Sequence, residues 1–173
     1  DHLFLKEFCL FLRNAKAKST EPEMKEFFDS VYKSTVDYEM PMQRDLLSSL
    51  GVSDFADVPV NAAPATDDYI SFLKRTSASG TLEIMLSAMA PCPWSYLEIA
   101  EKLSNDRIRT KAYCKWIKFY ASNESRLQVN ELKAILGQLY HKTNLNAKRL
   151  MSTHFGMACK HEYHFWETAY NMA

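Results

Sequence analysis

The residue of this chain with the clearest capacity for chemistry is a cysteine between two prolines. Cys92 lies between Pro91 and Pro93, inside a stretch from Ser87 to Glu101 whose pattern is otherwise that of an amphipathic helix. A proline in a helix lacks an amide donor and clashes with the carbonyl four residues earlier, so we expect a kink here. Tyr96 follows Cys92 by four residues, which places a thiol and a phenol on one helix face. A pocket is therefore predicted beside this face.

The kink also bears on the reactivity of the thiol. A thiolate is the nucleophilic form of cysteine, and backbone dipoles at a helix break can lower the pKa of a nearby thiol. One interpretation is therefore a reactive Cys92 with a lowered pKa. The competing interpretation is a small buried core residue, which is the usual role of a lone cysteine in a helix.

A single glutamate interrupts the apolar stripe of the last predicted helix. The stripe follows three- and four-residue spacing through Met151, Phe155, Ala158, Glu162 and Ala169. A carboxyl among apolar neighbours loses hydration, so its pKa rises and it can act as a general acid near neutral pH. A buried glutamate that only bonds a tyrosine or a kink carbonyl fits the pattern equally well.

The composition limits the class of protein. The chain has 173 residues, of which 47% are hydrophobic and 24% charged, which predicts one globular domain over residues 1–173. Four glycines and six prolines against ten phenylalanines favour an all-α fold. A net charge of zero predicts no nucleic-acid surface, and the absence of a long apolar run predicts no membrane span. Four dispersed cysteines indicate a reduced, cytoplasmic protein, although the pattern leaves a targeting segment upstream open.

The periodicity predicts a series of helices that position these groups. The first runs from Asp1 to about Ala17, and the second bends at Pro41 and stops at Gly51. A loop over residues 52–65 precedes a helix that restarts at Thr66 and Asp67. The kinked helix ends near Leu103, and three further helices follow, over residues 107–121, 127–139 and 145–170. Metal binding is not predicted, because Glu-x-x-His pairs and zinc-type Cys/His spacings are absent from the sequence.

Four stretches together resemble the thiaminase II (TenA) family, in its cysteine-containing type. They are Asp1–Phe8, Ala90–Leu103 around Cys92, Trp116–Ser122, and His161–Tyr170 with Glu162. The resemblance implies an all-α, haem-oxygenase-like bundle with a kinked central helix, without haem or another cofactor and assembled as a homotetramer. It also implies that family segments before Asp1 and beyond the last helix are missing from this chain.

The resemblance further implies an activity and a set of site residues. The family hydrolyses 4-amino-5-aminomethyl-2-methylpyrimidine, and also thiamin, to hydroxymethylpyrimidine in thiamin salvage. Cys92 would be the nucleophile and Glu162 the general acid. The substrate-binding residues would be Asp1 on the amidine edge of the ring, Phe4 stacked on the ring, and Tyr69, Tyr96 and Tyr120 around it. The alternative is a catalytically silent helical protein that binds a pyrimidine or has a regulatory role on the same fold.

Overall fold

The computed structural model describes residues 1–52, 61–107 and 110–172, and these residues form helices joined by short turns. No β-strand occurs in these three ranges, which confirms the all-α prediction. The helices are α1 (His2–Lys18), α2 (Pro22–Ser34), a π-helical turn (Thr35–Glu39), α3 (Met40–Ser49), α4 (Pro64–Ser79), α5 (Leu82–Met89), α6 (Pro91–Leu103), α7 (Lys111–Tyr120), α8 (Asn123–Lys142) and α9 (Leu145–Met172). None of the described helices is long and apolar enough to cross a membrane.

The central helix is interrupted where the two prolines predicted a kink. Helix α5 ends at Met89 and α6 begins at Pro91, with Ala90 between them in helical backbone angles (φ −59°, ψ −39°). The Ala90 amide still donates to the Leu86 carbonyl at 3.1 Å, but Pro91 has no amide with which to continue the ladder. The break leaves Cys92 in the first turn of α6.

The predicted bend before Pro41 is a π-helical turn. The Met40 amide donates to the carbonyl of Thr35, five residues earlier, so the turn holds one more residue than an α-helical turn. Helix α3 ends as expected: Gly51 adopts a positive φ of 82°, and the Val52 amide donates to the Leu47 carbonyl at 3.0 Å. A glycine takes this left-handed conformation without strain.

Several predicted boundaries differ from the structure. The helix predicted over residues 127–139 spans Asn123–Lys142. Helix α4 begins at Pro64 and not at Thr66, because a proline is well suited to the first turn, where its missing amide leaves no hydrogen bond unmade. The predicted loop over residues 52–65 falls largely on residues 53–60, which lie outside the described residues. The helix predicted over residues 107–121 begins at Lys111, and residues 108–109 also lie outside them.

Two apolar clusters form the core, and Cys92 packs against both of them. The larger joins α1, α2, α4, α5, α8 and α9, and its most buried side chains include Phe11, Leu12, Phe27, Phe28, Leu73, Met85, Leu86 and Met89. The smaller is formed by Tyr96, Ala100 and Tyr120, with Trp116 and Trp166 packed against it. The thiol therefore lies at the boundary between an aliphatic core and a group of aromatic rings.

We expect the α1 face of the larger cluster to dominate stability. Leu12 is 0% exposed, so Leu12→Ala removes buried methyl groups, leaves a cavity and lowers the free energy of unfolding by about 3 kcal/mol. Leu10 lies on the same helix and is 50% exposed, so the matched Leu10→Ala control changes stability by less than about 0.5 kcal/mol. Urea denaturation of both variants measures the difference. Equal losses would show that this face of α1 is not buried as described.

Candidate active site

The Cys92 thiol borders a narrow cavity lined by residues of several helices and of the π-helical turn. Tyr96 from α6, Tyr120 from α7 and Glu39 from the π-helical turn line the cavity together with Cys92. Its volume of about 50 Å³ is enough for a few water molecules. The prediction that Cys92 and Tyr96 share one face is confirmed, since both line the same space.

Glu162 lies inside the bundle, as its place in the apolar stripe predicted. It is 5% exposed, and burial raises the pKa of its carboxyl. Hydrogen-bonding interactions with Tyr69, Cys92 and Ser95 offset part of that rise, since they favour the ionised form. The Ser95 hydroxyl donates to Glu162 Oε2 at 3.4 Å. The thiol and the carboxyl of the predicted pair are therefore in contact.

The hydroxyl of Tyr69 adjoins this pair. Tyr69 is fully buried in α4, and its hydroxyl interacts electrostatically with Glu162 and Cys92. Within the part of the chain that the structure describes, it completes no hydrogen bond of standard geometry. A buried hydroxyl without a full partner is uncommon in folded proteins and costs free energy. It marks this region as one where a further polar group would be stabilised.

The prediction of a lowered pKa for Cys92 is wrong. Burial raises the pKa of the thiol well above its ordinary value, and the nearby carboxyls of Glu162 and Glu39 raise it further. The prediction rested on the backbone dipoles of the helix break alone. Two acidic side chains brought by other elements, together with desolvation, outweigh those dipoles.

Glu39 is a functional candidate that the sequence analysis missed. Its carboxylate Oε1 accepts a 2.6 Å hydrogen bond from the Tyr120 hydroxyl, and burial raises its pKa to about 7 despite hydrogen bonds from Tyr120 and Thr35. A signal for it was present. Thr35, Glu39 and Gln43 continue the buried stripe of α2 at four-residue spacing, but with polar side chains.

Asp1 and Phe4, two of the predicted substrate-binding residues, lie outside the Cys92 cavity. Asp1 Oδ2 accepts a hydrogen bond of 2.5 Å from Gln43 Nε2, at the edge of a separate cleft that Trp116 also lines. Gln43 interacts with the Tyr120 hydroxyl as well, so it connects Asp1 to the cavity wall. Phe4 is buried against Tyr69, with ring centroids 4.7 Å apart. Asp1 and Phe4 thus reach the thiol only through Gln43 and Tyr69.

A larger cleft opens on the other side of Glu162, between α6 and α9. Its volume is about 530 Å³, and Ser95, Glu162, Trp94, Phe155 and Trp166 are among its lining residues. Glu162 therefore lies between the thiol and an open, mainly apolar space. A proton held on this carboxyl can reach a group on either side.

Comparison with solved structures defines the class of this fold. The chain superposes on a TenA homologue from Pyrococcus furiosus with a TM-score of 0.87 and 20% identity, over 96% of this chain and 78% of that one. A TenA homologue from P. horikoshii gives a TM-score of 0.79 and 27% identity, over 99% of this chain and 82% of that one. The fold is the haem-oxygenase-like helical bundle of TenA proteins. Residues 1–172 match the model of the TENA/THI-4/PQQC family, and the chain belongs to that family.

Curated relatives at low identity are enzymes. The chain is 27% identical to an aminopyrimidine aminohydrolase from Halalkalibacterium halodurans, over 99% of this chain and 77% of that protein. It is 29% identical to one from Bacillus subtilis, over 79% of this chain and 58% of that protein, and 26% identical to one from Helicobacter pylori, over 98% and 79%. The family is thus established, together with a distant homology to aminopyrimidine aminohydrolases.

The raised pKa of Glu39 makes stability depend on pH. Between the unfolded value of 4.5 and the folded value of about 7, the folded chain holds a proton that the unfolded chain has released. The contribution of Glu39 to the free energy of unfolding therefore falls as the pH rises through this window, by on the order of 3 kcal/mol.

Denaturant titrations of the wild type and Glu39→Gln across this window measure that contribution. A glutamine does not titrate, so the variant lacks this part of the fall, and the difference between the two curves isolates it. The exposed Asp37 lies on the same π-helical turn, and its variant Asp37→Asn should retain the wild-type pH dependence. Parallel curves for wild type and Glu39→Gln would contradict the prediction.

Proposed function

We propose that this protein hydrolyses an aminomethylpyrimidine to hydroxymethylpyrimidine, with Cys92 as the nucleophile and Glu162 as the general acid and base. The observation that carries the proposal is the contact of the Cys92 thiol with a buried carboxyl whose pKa is raised. The Tyr69 hydroxyl beside them supports it, because it completes no hydrogen bond of standard geometry within the described residues and a polar ligand would supply one. Distant homology to aminopyrimidine aminohydrolases supports the same reaction class.

The first step is addition of sulfur to the ring. The Cys92 thiol keeps its proton near neutral pH because burial and the two carboxyls raise its pKa. Attack therefore requires a base, and ionised Glu162 is in position to take the thiol proton. As the C–S bond forms, a π electron pair of the electron-poor pyrimidine moves onto a ring nitrogen. Covalent addition in this way replaces one difficult displacement with two easier steps.

The second step is loss of the amine and addition of water. Glu162 gives its proton to the amine nitrogen, the C–N bond breaks, and the electron pair of the ring forms an exocyclic methylene. Water then adds to that carbon and loses a proton to Glu162. The ring electrons return, the C–S bond breaks, and Cys92 recovers its proton. The net reaction exchanges an amine for a hydroxyl, and the cleft beside Glu162 gives the departing group a path.

The binding residues in this proposal are those that surround the two catalytic groups. Tyr96 and Tyr120 border the thiol, and Tyr69 and Phe4 lie on the Glu162 side, where their rings suit a flat heterocycle. Asp1 lies outside the Cys92 cavity and would assist ring binding through Gln43, which holds its carboxylate and interacts with the Tyr120 hydroxyl. Assembly as a homotetramer and a cytoplasmic location remain predictions.

A silent pyrimidine-binding protein is the second candidate. The raised pKa of Cys92 favours it, because a thiol that keeps its proton is a weak nucleophile. The enzyme would turn over its substrate by means of the Cys92 thiol, whereas the silent protein would bind a pyrimidine without turnover. Binding alone requires the aromatic walls and Asp1.

Ammonia release from 4-amino-5-aminomethyl-2-methylpyrimidine tests the proposal. We expect Cys92→Ala to lower the turnover rate by about a thousandfold or more, since the covalent route is lost, and Glu162→Gln to lower it by about a hundredfold. Cys114 is an exposed cysteine on α7, so Cys114→Ala serves as the matched control and should keep the wild-type rate.

The opposite results are equally informative. Full activity in Cys92→Ala would rule out the nucleophile assignment. Tight binding of the pyrimidine by calorimetry without any ammonia release in the wild type would favour the silent binding protein.

A further inference from the structure

A second carboxyl faces the Cys92 cavity from an element that the proposed reaction does not use. Glu39 lies on the π-helical turn between α2 and α3, and it lines the cavity with Cys92, Tyr96 and Tyr120. Glu162 does not line this cavity and borders the cleft between α6 and α9 instead. The thiol is therefore adjoined by two carboxyls that come from different elements and border different spaces.

The hydrogen bond between Tyr120 and Glu39 has two possible directions. When Glu39 is ionised, its Oε1 accepts the phenol proton across 2.6 Å. When Glu39 is protonated, its own O–H can donate to the phenol oxygen, which also interacts with the Gln43 side chain. A phenol oxygen that accepts from both neighbours leaves its own O–H free to point into the cavity.

We propose that Glu39 is a positioning residue of this site. Its protonation state decides whether the Tyr120 hydroxyl donates to Glu39 or to a ring nitrogen of a ligand beside Cys92. Its negative charge, when it is ionised, opposes ionisation of the Cys92 thiol. The ligand part of this inference rests on the proposed function, whereas the effect on the thiol does not. The ring nitrogen that receives an electron pair when sulfur adds requires such a donor.

The effect of Glu39 on the Tyr120 hydroxyl and its effect on the Cys92 thiol both favour reaction when Glu39 is protonated. Protonated Glu39 frees the phenol donor and removes a negative charge next to Cys92, so the form that assists the ligand also makes the thiol easier to ionise. Ionised Glu39 withdraws the donor and holds the thiol in its protonated form. The window in which this change occurs is set by the Glu39 pKa of about 7, near neutral pH.

The groups that face Glu39 come from several elements. Cys9 faces it from α1, Cys92 and Tyr96 from α6, and Tyr120 from α7. Thr35 donates a hydrogen bond from the first residue of the π-helical turn. Among the described residues, none of the groups that shift the Glu39 pKa is basic, so no cation in that part of the chain is seen to compensate the charge when Glu39 ionises.

Alkylation of Cys92 by iodoacetamide tests the effect on the thiol without any turnover. Rates are measured on the full chain from about pH 6 to about pH 8.5, with peptide mass mapping to separate Cys92 from Cys9, Cys114 and Cys159. We expect Glu39→Gln to react about fivefold faster than wild type at about pH 8, where wild-type Glu39 is ionised, and at the same rate at about pH 6. The Asp37→Asn control should match wild type at every pH.

If the ratio of the Glu39→Gln rate to the wild-type rate does not change with pH, the effect on the thiol is overturned, because loosened packing accelerates alkylation equally at all pH values. The same effect in Asp37→Asn would overturn it too, since a general change in charge would then explain the result. Failure of Cys92 to react at any pH while Cys114 reacts would show that small molecules do not reach the thiol, and would also overturn it.

Calorimetry with hydroxymethylpyrimidine tests the ligand part. If Tyr120 donates to the ring, Tyr120→Phe weakens binding about tenfold at about pH 6 and has a much smaller effect at about pH 8, where ionised Glu39 takes the phenol proton. In the Glu39→Gln background the loss on Tyr120→Phe should be the same at both pH values. If Tyr120→Phe weakens binding equally at both pH values with Glu39 intact, the ligand part is overturned. If no pyrimidine binds at all, the ligand part and the proposed function are both overturned. The alkylation result does not depend on either outcome.

Discussion

The missing amide of Pro91 is the constraint from which the rest of the site follows. An uninterrupted helix from Leu82 to Leu103 would keep one face on one neighbour along its whole length. With the ladder broken at Ala90, α5 packs chiefly on α9, and α6 contacts α7, α8 and α9. Cys92 is placed where these two arrangements meet, and it contacts the aliphatic cluster and the aromatic cluster at once. A thiol in a straight helix would belong to one cluster only.

Burial determines the electrostatics of this site, since no cation of the described residues shifts the pKa of its three acidic groups. Cys92 interacts with both Glu39 and Glu162, and the pKa of each of the three groups is raised chiefly by desolvation. A negative charge on either carboxylate further opposes ionisation of the thiol, so Cys92 keeps its proton near neutral pH. This differs from cysteine sites in which a cationic partner stabilises the thiolate. On the proposed mechanism, the thiol ionises only at the moment of reaction, when a neighbouring carboxylate accepts its proton.

The parts of the site that the sequence could predict are those fixed within one element. The Cys92–Tyr96 face depends only on the four-residue spacing, and the burial of Glu162 depends only on the stripe of α9. Ser95 and Gln43 could not be identified in this way, since a hydroxyl or an amide at those positions gains meaning only from a partner on another helix. The Cys92 pKa was predicted with the wrong sign for the same reason, because the carboxyls that raise it come from α9 and the π-helical turn.

Fold and chemistry are separate conclusions for this chain. A TM-score of 0.87 at 20% identity shows that the helical bundle persists when most side chains have changed, so the bundle by itself specifies no reaction. What narrows the chemistry is the contact between a thiol and a buried carboxyl that opens onto a cleft. On the proposed mechanism, the ring lies with the thiol and the departing group lies in that cleft. Selection among departing groups of different size would then depend on Trp94, Phe155 and Trp166, whereas recognition of the ring would depend on the tyrosines.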